Sequence, residues 1–368
     1  TLEIAAGATD EVTILFGAAA NEIVAQNLIL QSRQTKPDAV LADVKRFWQG
    51  TLGAIKVKTP DRSFDIMMNG WLLYQSLACR IWARSGFYQA SGAYGFRDQL
   101  QDSLSFLLTR SEIAREQLLR AASRQFVEGD FQHWWLPETG AGVRTRISDD
   151  MVWLANCVSQ FLIVTDDTSI LDVQIPFIEG QQLEHGAHDA FFVPSISDES
   201  DTLYEHCARA LDRSLPQGAH GLPLMGTGDW NDGMNRVGEG GKGESVWLGW
   251  FLLSTLKAFI PVAEKRKDKA RATAWKLRMT DLSASLEREG WDGGWYRRGF
   301  FDDGSPLGSA QSEECRIDAI AQSWAVLSGG ASAERGAAAM EQSWRQLMRF
   351  DDGLALLFTP PFDKSAQE

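Results

Sequence analysis

The chain has 368 residues, of which 44% are hydrophobic and 23% are charged, and its formal net charge is −13. This composition is typical of a globular protein. The negative charge argues against nucleic acid and anionic membrane as partners, because phosphate groups require a basic surface. The five histidines show no paired spacing, so we expect no metal site. The four cysteines lie far apart without a Cys-x-x-Cys spacing, which is typical of reduced thiols in a cytosolic setting.

The first part of the chain, residues 1–18, differs in pattern from everything after it. Residues 11–16 have the composition of a β-strand. A lone strand has no partner for its backbone groups, so we expect it to be the last strand of a sheet outside this sequence. Residues 19–58 then predict a linker region with a helix at residues 37–54.

From residue 59 onward the chain is a succession of helical patterns joined by long polar loops. Predicted helices cover residues 64–83, 104–126, 149–164, 198–211, 244–263, 269–289, 314–327 and 332–349. The apolar run at residues 246–256 is too short to span a bilayer and predicts a buried helix. Strand patterns are sparse, and the glycine-, Trp- and carboxylate-rich segments all fall in loops. We therefore predict an all-α fold, a helical toroid that presents its loops at one end.

The loop at residues 226–235 combines two carboxylates, an indole and two carboxamides with flanking glycines. Glycine permits the tight backbone of such a loop. Asp229 and Asp232 lie beside Trp230 and Asn231, and a carboxylate next to an indole suits sugar chemistry, because the ring covers an apolar sugar face. The alternative is an Asx-turn whose side chains only satisfy local backbone N–H groups.

A second polar run, Tyr-Gly-Phe-Arg-Asp-Gln-Leu-Gln-Asp at residues 94–102, opens a predicted helix after a glycine-bearing loop. Asp98 and Asp102 are four residues apart and so share one helix face. Arg97 could orient the Asp98 carboxylate towards vicinal sugar hydroxyls. The alternative is that these acids only complement the N-terminal end of the helix dipole.

A third polar run, residues 132–150, ends in a Ser-Asp-Asp helix cap. Arg144 and Arg146 point the same way if this segment is extended. They could bind a phosphate or a sugar, or they could neutralise Asp149 and Asp150 in an internal ion-pair network. His133 alone is more often a structural hydrogen-bonding residue than a catalytic one.

A further carboxylate, Glu244, follows a glycine-rich segment and begins a predicted helix, where it could simply complement the helix dipole. The same explanation applies to Glu313, Glu314 and Asp318. The candidate ligand-binding residues of all these segments are Arg97, Asp98, Asp102, Trp135, Arg144, Arg146, Asp149, Asp150, Asp229, Trp230, Asn231 and Glu244.

Several of these segments, taken in order, carry a resemblance to a known family. They are residues 94–102, 140–150, 228–233 (Gly-Asp-Trp-Asn-Asp-Gly), 243–247 (Gly-Glu-Ser-Val-Trp), 314–318 (Glu-Cys-Arg-Ile-Asp) and 322–324 (Gln-Ser-Trp). They resemble glycoside hydrolase family 94, the cellobiose, chitobiose and 1,2-β-oligoglucan phosphorylases. Within it, the resemblance is greatest to the C-terminal domain of bacterial cyclic β-1,2-glucan synthases. The resemblance implies an (α/α)6 barrel after an N-terminal β-sandwich, whose last strand would be residues 11–16.

The resemblance also implies a mechanism, inverting phosphorolysis with one enzymic carboxylate as the general acid. That role falls on Asp232, the second Asp of the Asp-Trp-Asn-Asp motif, and we expect this residue to be buried against Trp230. Phosphate is the nucleophile, so no enzymic base is needed. Arg97 and Asp98 would hold the glucosyl unit in the subsite before the scissile bond.

One block of the family pattern is missing from this sequence. A Gly-Tyr-Pro-Pro-Gly run, an Arg-Glu-Asn-Gly-Gly run and a phosphate-binding His would follow the Thr-Pro-Pro-Phe-Asp segment at residues 359–363. We therefore expect the barrel, residues 59–368, to be truncated at its C-terminal end, with its phosphate-binding residues beyond Glu368.

These arguments predict phosphorolysis or transfer at β-glucosidic bonds, with β-1,2-glucan as the favoured substrate, phosphate as co-substrate and no cofactor. Three alternatives stay open: an inverting hydrolase using Asp229 and Asp232, a β-1,4 phosphorylase, and a non-catalytic module that binds glucan or controls its length. The expected partners are a β-glucan oligosaccharide and phosphate, a homodimer is allowed, and neither nucleic acid nor membrane is expected to contact this segment. In a cyclic glucan synthase, the domain would lie on the cytoplasmic face of an inner-membrane protein.

Overall fold

A computed structural model describes residues 3–82, 92–184 and 186–364 of the chain. These residues belong to two compact units, Thr1–Tyr74 and Gln75–Glu368. The larger unit holds every candidate site residue.

The smaller unit is built from short helices. They are α1 (Glu22–Gln34), α2 (Pro37–Gly53) and α3 (Arg62–Ile66), which continues into a π-helical turn at Met67–Trp71. The Asp61 carboxylate caps α3 by accepting from the backbone N–H groups of Ser63 and Phe64 at 2.8 and 3.2 Å. This cap satisfies two of the donors that the first turn of a helix leaves unpaired.

The strand predicted at residues 11–16 is absent from the structure. Residues 8–19 have no regular secondary structure up to the turn before α1. An extended segment needs a neighbouring strand for its N–H and C=O groups, and no strand within the described residues pairs with this one. The alternating pattern is therefore not sufficient to form a strand without a partner.

From Leu72 onward, helices make up most of the regular structure. They are α4 (Leu72–Gln75) with a π-helical segment at Ser76–Trp82, α5 (Phe96–Leu104), α6 (Ser111–Ala122), α7 (Asp150–Thr165), α8 (Leu203–Arg213), α9 (Val246–Lys265), α10 (Lys269–Glu289), α11 (Ala319–Leu327) and α12 (Ala333–Leu347). The helix predicted at residues 64–83 is divided by the π-helical segments, and residue 83 lies outside the described residues.

Three further predicted helices differ from the structure. The helix predicted at residues 104–126 forms only as α6 (Ser111–Ala122), because α5 ends at Leu104 and the Ser105 hydroxyl donates to the Asp102 carbonyl at 2.7 Å in the turn that follows. The helix predicted at residues 314–327 begins only at Ala319, the start of α11. The first part of the helix predicted at residues 198–211 is a strand. Helix α8 begins only after Thr202, whose hydroxyl caps it by accepting from the Glu205 N–H at 3.2 Å.

Short antiparallel strands, which the sequence pattern does not reveal, connect the loops between the helices. They are β1 (Tyr94–Gly95), β2 (Gln132–Trp135), β3 (Gly142–Thr145), β4 (Gln174–Glu179), β5 (Asp189–Phe192), β6 (Ser195–Thr202), β7 (Glu244–Ser245), β8 (Gly299–Phe300), β9 (Pro306–Leu307), β10 (Ile317–Asp318), β11 (Met348–Arg349), β12 (Leu354–Ala355) and β13 (Phe358–Thr359).

The largest sheet has the strand order β1-β2-β3-β5, with Gly95 opposite Trp134 and Gly142 opposite Phe192. The pair β4 and β6 and the trio β7-β8-β9 form further sheets. These pairings hold the residues just before α5 and α9 in place, and both helix starts carry candidate site residues.

The core of the larger unit contains α7 and α9, whose apolar side chains are mostly buried. Helix α9 has 20 residues, so its apolar segment is longer than the run seen in the sequence, and by length and composition it could cross a membrane. In the structure, 72% of its apolar window is buried among other helices, as predicted for a core helix. All four cysteines are free thiols.

Candidate functional site

The loop at residues 226–235 is fixed in place by its backbone. Gly226 and Gly228 have φ values of +63° and +136°, a region that favours glycine. Gly226 pairs with Ile147, and the carbonyl of Gly228 accepts from the Ser148 N–H at 3.0 Å. The loop therefore lies against the segment that leads into α7.

Part of the loop is an Asx-turn, as the alternative reading of the sequence proposed. The Asn231 side-chain oxygen accepts from the Gly233 N–H at 3.0 Å and begins a 3-10 turn at Asp232–Met234. Asn231 and Trp230 are half-buried. Asp232, the first residue of this turn, contacts a side chain distant in the sequence, Arg97.

Arg97, near the start of α5, contacts both the 226–235 loop and the start of α7. Its Nη1 donates to Asp149 Oδ1 at 2.9 Å and to the backbone carbonyl of Asp229 at 2.8 Å, and its Nη2 donates to Asp232 Oδ1. The Arg97 side chain is only 8% exposed. The structure therefore brings together residues that are 135 positions apart in the sequence.

Asp232 itself is accessible. Its side chain is 60% exposed, so the prediction that it is buried against Trp230 is wrong for this structure. Its contact with Arg97 holds the carboxylate at the rim of the buried network formed by Arg97 and Asp149. A carboxylate in this position can meet a ligand from solvent while one of its oxygens is fixed.

The two acids at the start of α7 are both buried. Asp149 Oδ2 accepts from the Trp153 indole N–H at 2.8 Å, while Oδ1 contacts Arg97. Burial raises the pKa of Asp149 to about 7, although the Arg97 guanidinium opposes this shift. Asp150 Oδ2 lies 2.8 Å from Nδ1 of His133. Both acids are therefore held by neighbouring side chains, and Asp149 contacts Arg97 instead of capping its helix.

Asp229, the first acid of the loop, lies in a fully buried ion pair. Arg298 donates to both of its oxygens at 2.6 and 2.5 Å, and the Ser245 hydroxyl donates to Oδ2 at 2.6 Å. Burial alone would raise the pKa of Asp229, but Arg298 outweighs it and holds the pKa below its ordinary value. Arg298 Nε also lies 3.3 Å from Asp318, which caps α11. Asp229 is thus a structural anchor of the loop.

Glu244, a predicted ligand-binding residue, is unavailable to a ligand because it is 1% exposed and already bonded. Its carboxylate accepts from the backbone N–H groups of His220 and Leu222 and lies 2.5 Å from the Nδ1 atom of His220. The His220 ring stacks on Phe300 with a centroid distance of 3.7 Å. Glu244 therefore binds the neighbouring loop, which is neither of the roles that the sequence suggested.

Two more predictions of ligand contact are corrected by burial. Trp135 is 1% exposed and packs in the core, edge-on against Tyr94. Arg144 is 2% exposed, and its donors are taken by Asp130 at 2.7 Å and Glu128 at 3.0 Å. The alternative of an internal ion-pair network is therefore correct for Arg144, but with partners other than Asp149 and Asp150.

The remaining predicted residues are peripheral. Asp102 accepts from Arg80 Nε at 2.8 Å, and Asp98 is half-buried beside the backbone of Gly95. Arg146 donates to three backbone carbonyls, among them that of Ala187 at 2.8 Å. Arg146 is therefore used to hold a loop.

A cavity of about 660 Å³ lies beside this site, lined by residues such as Arg144, Arg146, Met151 and Leu248. Asp232 does not line it. Its wall includes Gly226 and the segment at residues 146–148, which lies against the loop. Because the charged groups that line this cavity are already paired, we place the candidate site at Asp232 and Arg97 instead.

Two functional neighbours were missed in the sequence. Arg298 follows a Gly-Trp-Tyr-Arg run with no periodic signal, and only the fold places it against Asp229. His133 was treated as structural, although it lies beside a run of acids and arginines. Within the described residues, no group of three or more His, Cys, Asp or Glu could hold a metal ion.

Comparison with known proteins agrees with the motifs. A family model described as the catalytic domain of the glycosyl hydrolase 94 superfamily matches residues 47–368. The cyclic β-(1,2)-glucan synthase of Rhizobium meliloti is 53% identical over 368 residues, which cover 100% of this chain and 13% of that protein.

Two phosphorylases are also similar. The 3-O-β-D-glucopyranosyl-β-D-glucuronide phosphorylase of Paenibacillus borealis is 34% identical over 300 residues, covering 80% of this chain and 36% of that protein. The N,N'-diacetylchitobiose phosphorylase of Vibrio furnissii is 29% identical over 341 residues, covering 84% of this chain and 40% of that protein. The chain thus spans well under half the length of each relative.

Proposed function

Because the chain belongs to the glycosyl hydrolase 94 superfamily, we propose that it acts in inverting phosphorolysis or transfer at β-glucosidic bonds, with Asp232 as the general acid. The family resemblance stated from the motifs is thereby confirmed. The observation that carries the residue assignment is the contrast within one loop. Asp229 is fully buried and bonded at both oxygens, whereas Asp232 is 60% exposed and reaches solvent.

The proposed reaction needs only one enzymic carboxylic acid. A phosphate oxygen attacks the anomeric carbon of the glucosyl unit from the face opposite the glycosidic bond. Protonated Asp232 gives its proton to the glycosidic oxygen as that bond breaks, and the products are a sugar 1-phosphate and a shortened glucan. Because phosphate is already an anionic nucleophile, no second carboxylate is required.

Arg97 positions the other residues of this site. In the structure it donates to Asp232 and to Asp149. For proton donation, a bound sugar must exclude water and redirect part of the Arg97 donor set. Arg97 and the half-buried Asp98 then hold the hydroxyls of the glucosyl unit, and Trp230 covers one of its faces.

The proposal extends to fold and linkage. The helices from α4 to α12 would belong to an (α/α)6 barrel whose loops carry the site. We favour β-1,2-glucan as the substrate, because the relative that matches this chain over its whole length at 53% identity is a cyclic β-(1,2)-glucan synthase.

The buried state of Asp229 argues against the hydrolase alternative. A general base must reach a water molecule, but both Asp229 oxygens accept from Arg298 inside the protein, and Ser245 occupies one of them as well. A non-catalytic glucan-binding module would have no need of an accessible acid beside a buried arginine.

The test is to incubate the intact catalytic domain, including the residues expected beyond Glu368, with a panel of β-linked glucose disaccharides, with and without inorganic phosphate, and to assay glucose 1-phosphate and free glucose. We expect glucose 1-phosphate only with phosphate present, and fastest from the β-1,2-linked sugar. Asp232→Asn is the active-site control, and Arg271→Lys, in an ion-pair network of α8 and α10, is the control for handling and folding.

Two results would contradict the proposal. Equal release of glucose without phosphate would identify a hydrolase. Tight sugar binding with no bond cleavage, and with Asp232→Asn indistinguishable from the unaltered protein, would identify a binding module.

A further inference from the structure

His133 lies at an irregularity in strand β2. The register between β2 and β3 shifts between Gln132 and Trp134, so His133 stands at a β-bulge and outside the regular ladder. A bulge changes the direction in which a side chain points, and bulges are common next to active sites. Here it brings the His133 ring to Asp150 at the start of α7.

The two nitrogens of His133 have different surroundings. Nδ1 lies 2.8 Å from Asp150 Oδ2, which fixes the ring. No hydrogen bond within the described residues engages Nε2, and the side chain keeps 15% of its surface exposed. Nε2 therefore has a hydrogen-bonding position that is not used within the described residues.

The charges around the ring favour the imidazolium form. The groups that face it are Asp150 on α7, Arg97 on α5 and Asp232 on the 226–235 loop. Burial alone would lower the pKa of His133, but Asp150 outweighs it and the pKa is raised. The other oxygen of Asp150, Oδ1, is buried without a hydrogen-bond partner within the described residues, so His133 is the side chain that engages this carboxylate there.

We propose that His133 is a sugar-binding residue of this site, whose Nε2–H donates a charge-assisted hydrogen bond to a hydroxyl of the glucosyl unit that Asp232 contacts. The inference rests on the proposed function and adds a residue to it. Asp150 is a positioning residue, because it acts on the ligand only through the imidazole.

A sugar hydroxyl fits this position better than phosphate does. The positive charges of Arg97 and His133 face the carboxylates of Asp149, Asp150 and Asp232, so the cluster has no excess of positive charge to attract an anion. A neutral hydroxyl needs no such excess and gains from a charged donor. Phosphate is therefore expected to bind elsewhere.

The test measures binding by calorimetry, separately for a β-1,2-linked glucose disaccharide and for inorganic phosphate. His133→Asn places an amide near the position of Nδ1, so it can still bond Asp150 but has no donor at Nε2. His133→Gln places an amide near Nε2 and retains a donor for the ligand. The matched control is His220→Asn, which alters a similar buried histidine-carboxylate pair that binds a loop.

We expect His133→Asn to weaken disaccharide binding about tenfold or more, the usual loss for a charged hydrogen bond, with phosphate binding unchanged. His133→Gln should restore part of the affinity, and His220→Asn should bind the disaccharide as the unaltered protein does. Disaccharide affinity should also fall as the pH rises through the raised pKa of His133, and Asp150→Asn should move that fall to lower pH.

The result that would overturn the inference is unchanged disaccharide affinity in His133→Asn, since the ring would then serve only Asp150. Loss of phosphate affinity instead of disaccharide affinity would equally overturn it. If the unaltered protein fails to bind the disaccharide, the proposed function fails too. Disaccharide binding by the unaltered protein thus separates a failure of this inference from a failure of the proposed function.

Discussion

Replacing Arg298 with methionine tests whether a buried ion pair holds the 226–235 loop. Arg298 is fully buried, contacts both oxygens of Asp229 at 2.5 and 2.6 Å, and lies 3.3 Å from Asp318. Methionine fills much of the volume but leaves both buried carboxylates without their cation. Breaking a buried ion pair by removing one partner costs about 3–5 kcal/mol of unfolding free energy.

The assay is chemical denaturation near neutral pH, with two comparisons. The triple variant Arg298→Met, Asp229→Asn, Asp318→Asn leaves no buried charge in this ion-pair cluster, so it should recover much of the unfolding free energy that Arg298→Met loses. In Arg271→Met, an arginine that also contacts several carboxylates but is 24% exposed is removed. That change should cost only about 1 kcal/mol, because solvent screens its contacts.

The pH dependence gives the sign of the effect. Arg298 holds the pKa of Asp229 below its ordinary value of 3.8. The stability from this pair is therefore present above that value and is lost as the pH falls through the lowered pKa. The difference between the unaltered protein and Arg298→Met should narrow in acid. A loss below about 1 kcal/mol at neutral pH, or a gap that widens in acid, would refute the reasoning, because buried pairs lose more than that when one partner is removed.

Three further predictions follow from single positions. In the intact catalytic domain, Asp232→Asn should reduce phosphorolysis on the order of 100-fold or more without lowering stability, because it removes a proton donor that is exposed to solvent; steady-state rates and a melting curve check both parts. Gly226→Ala should lower the free energy of unfolding by about 2 kcal/mol or more, because an added Cβ meets the Arg146 carbonyl oxygen at 2.0 Å. Gly241→Ala, where φ is +81° but the space around the Cβ is open, should lower it by about 1 kcal/mol; chemical denaturation measures both. Burial lowers the pKa of His206 from 6.5 to about 4, so neutral His206 contributes to the free energy of unfolding above pH 6.5, and this contribution is lost as the pH falls towards the lowered pKa. The unaltered protein should lose about 3 kcal/mol of unfolding free energy over this pH range, and His206→Gln should lose less, as denaturation at both pH values would show.

Helices with a continuous apolar pattern could be predicted from the sequence. Helix α10 occupies the predicted range, residues 269–289, because its pattern is unbroken and Asp268 caps it. Strand β6 could not be predicted in this way, since Ser195–Thr202 is almost entirely polar and is held by its pairing with β4. Pairing is a tertiary property, and no local pattern of residue types reveals it.

The sequence predicts the residue types of the candidate site but not which of their side chains are exposed to solvent. The glycine-flanked run marked Asp232, yet the same kind of signal marked Glu244, which is bonded to backbone N–H groups of its neighbours. A carboxylate in a polar loop can face solvent, a guanidinium or a backbone amide, and the sequence does not separate these cases. Only the fold shows that Arg298, which is 69 residues away, neutralises Asp229.

A physical rule explains which acids of this site are available for chemistry. A buried carboxylate must be matched by a cation or by donors, or the fold loses several kcal/mol. Asp229 has Arg298, Asp149 has Arg97 and an indole N–H, and Asp150 has His133. Asp232 shares Arg97 but is 60% exposed, so its carboxylate remains accessible from solvent. Under the proposed function, the buried acids hold Arg97 and His133 in position, and these two side chains and Asp232 meet the ligand.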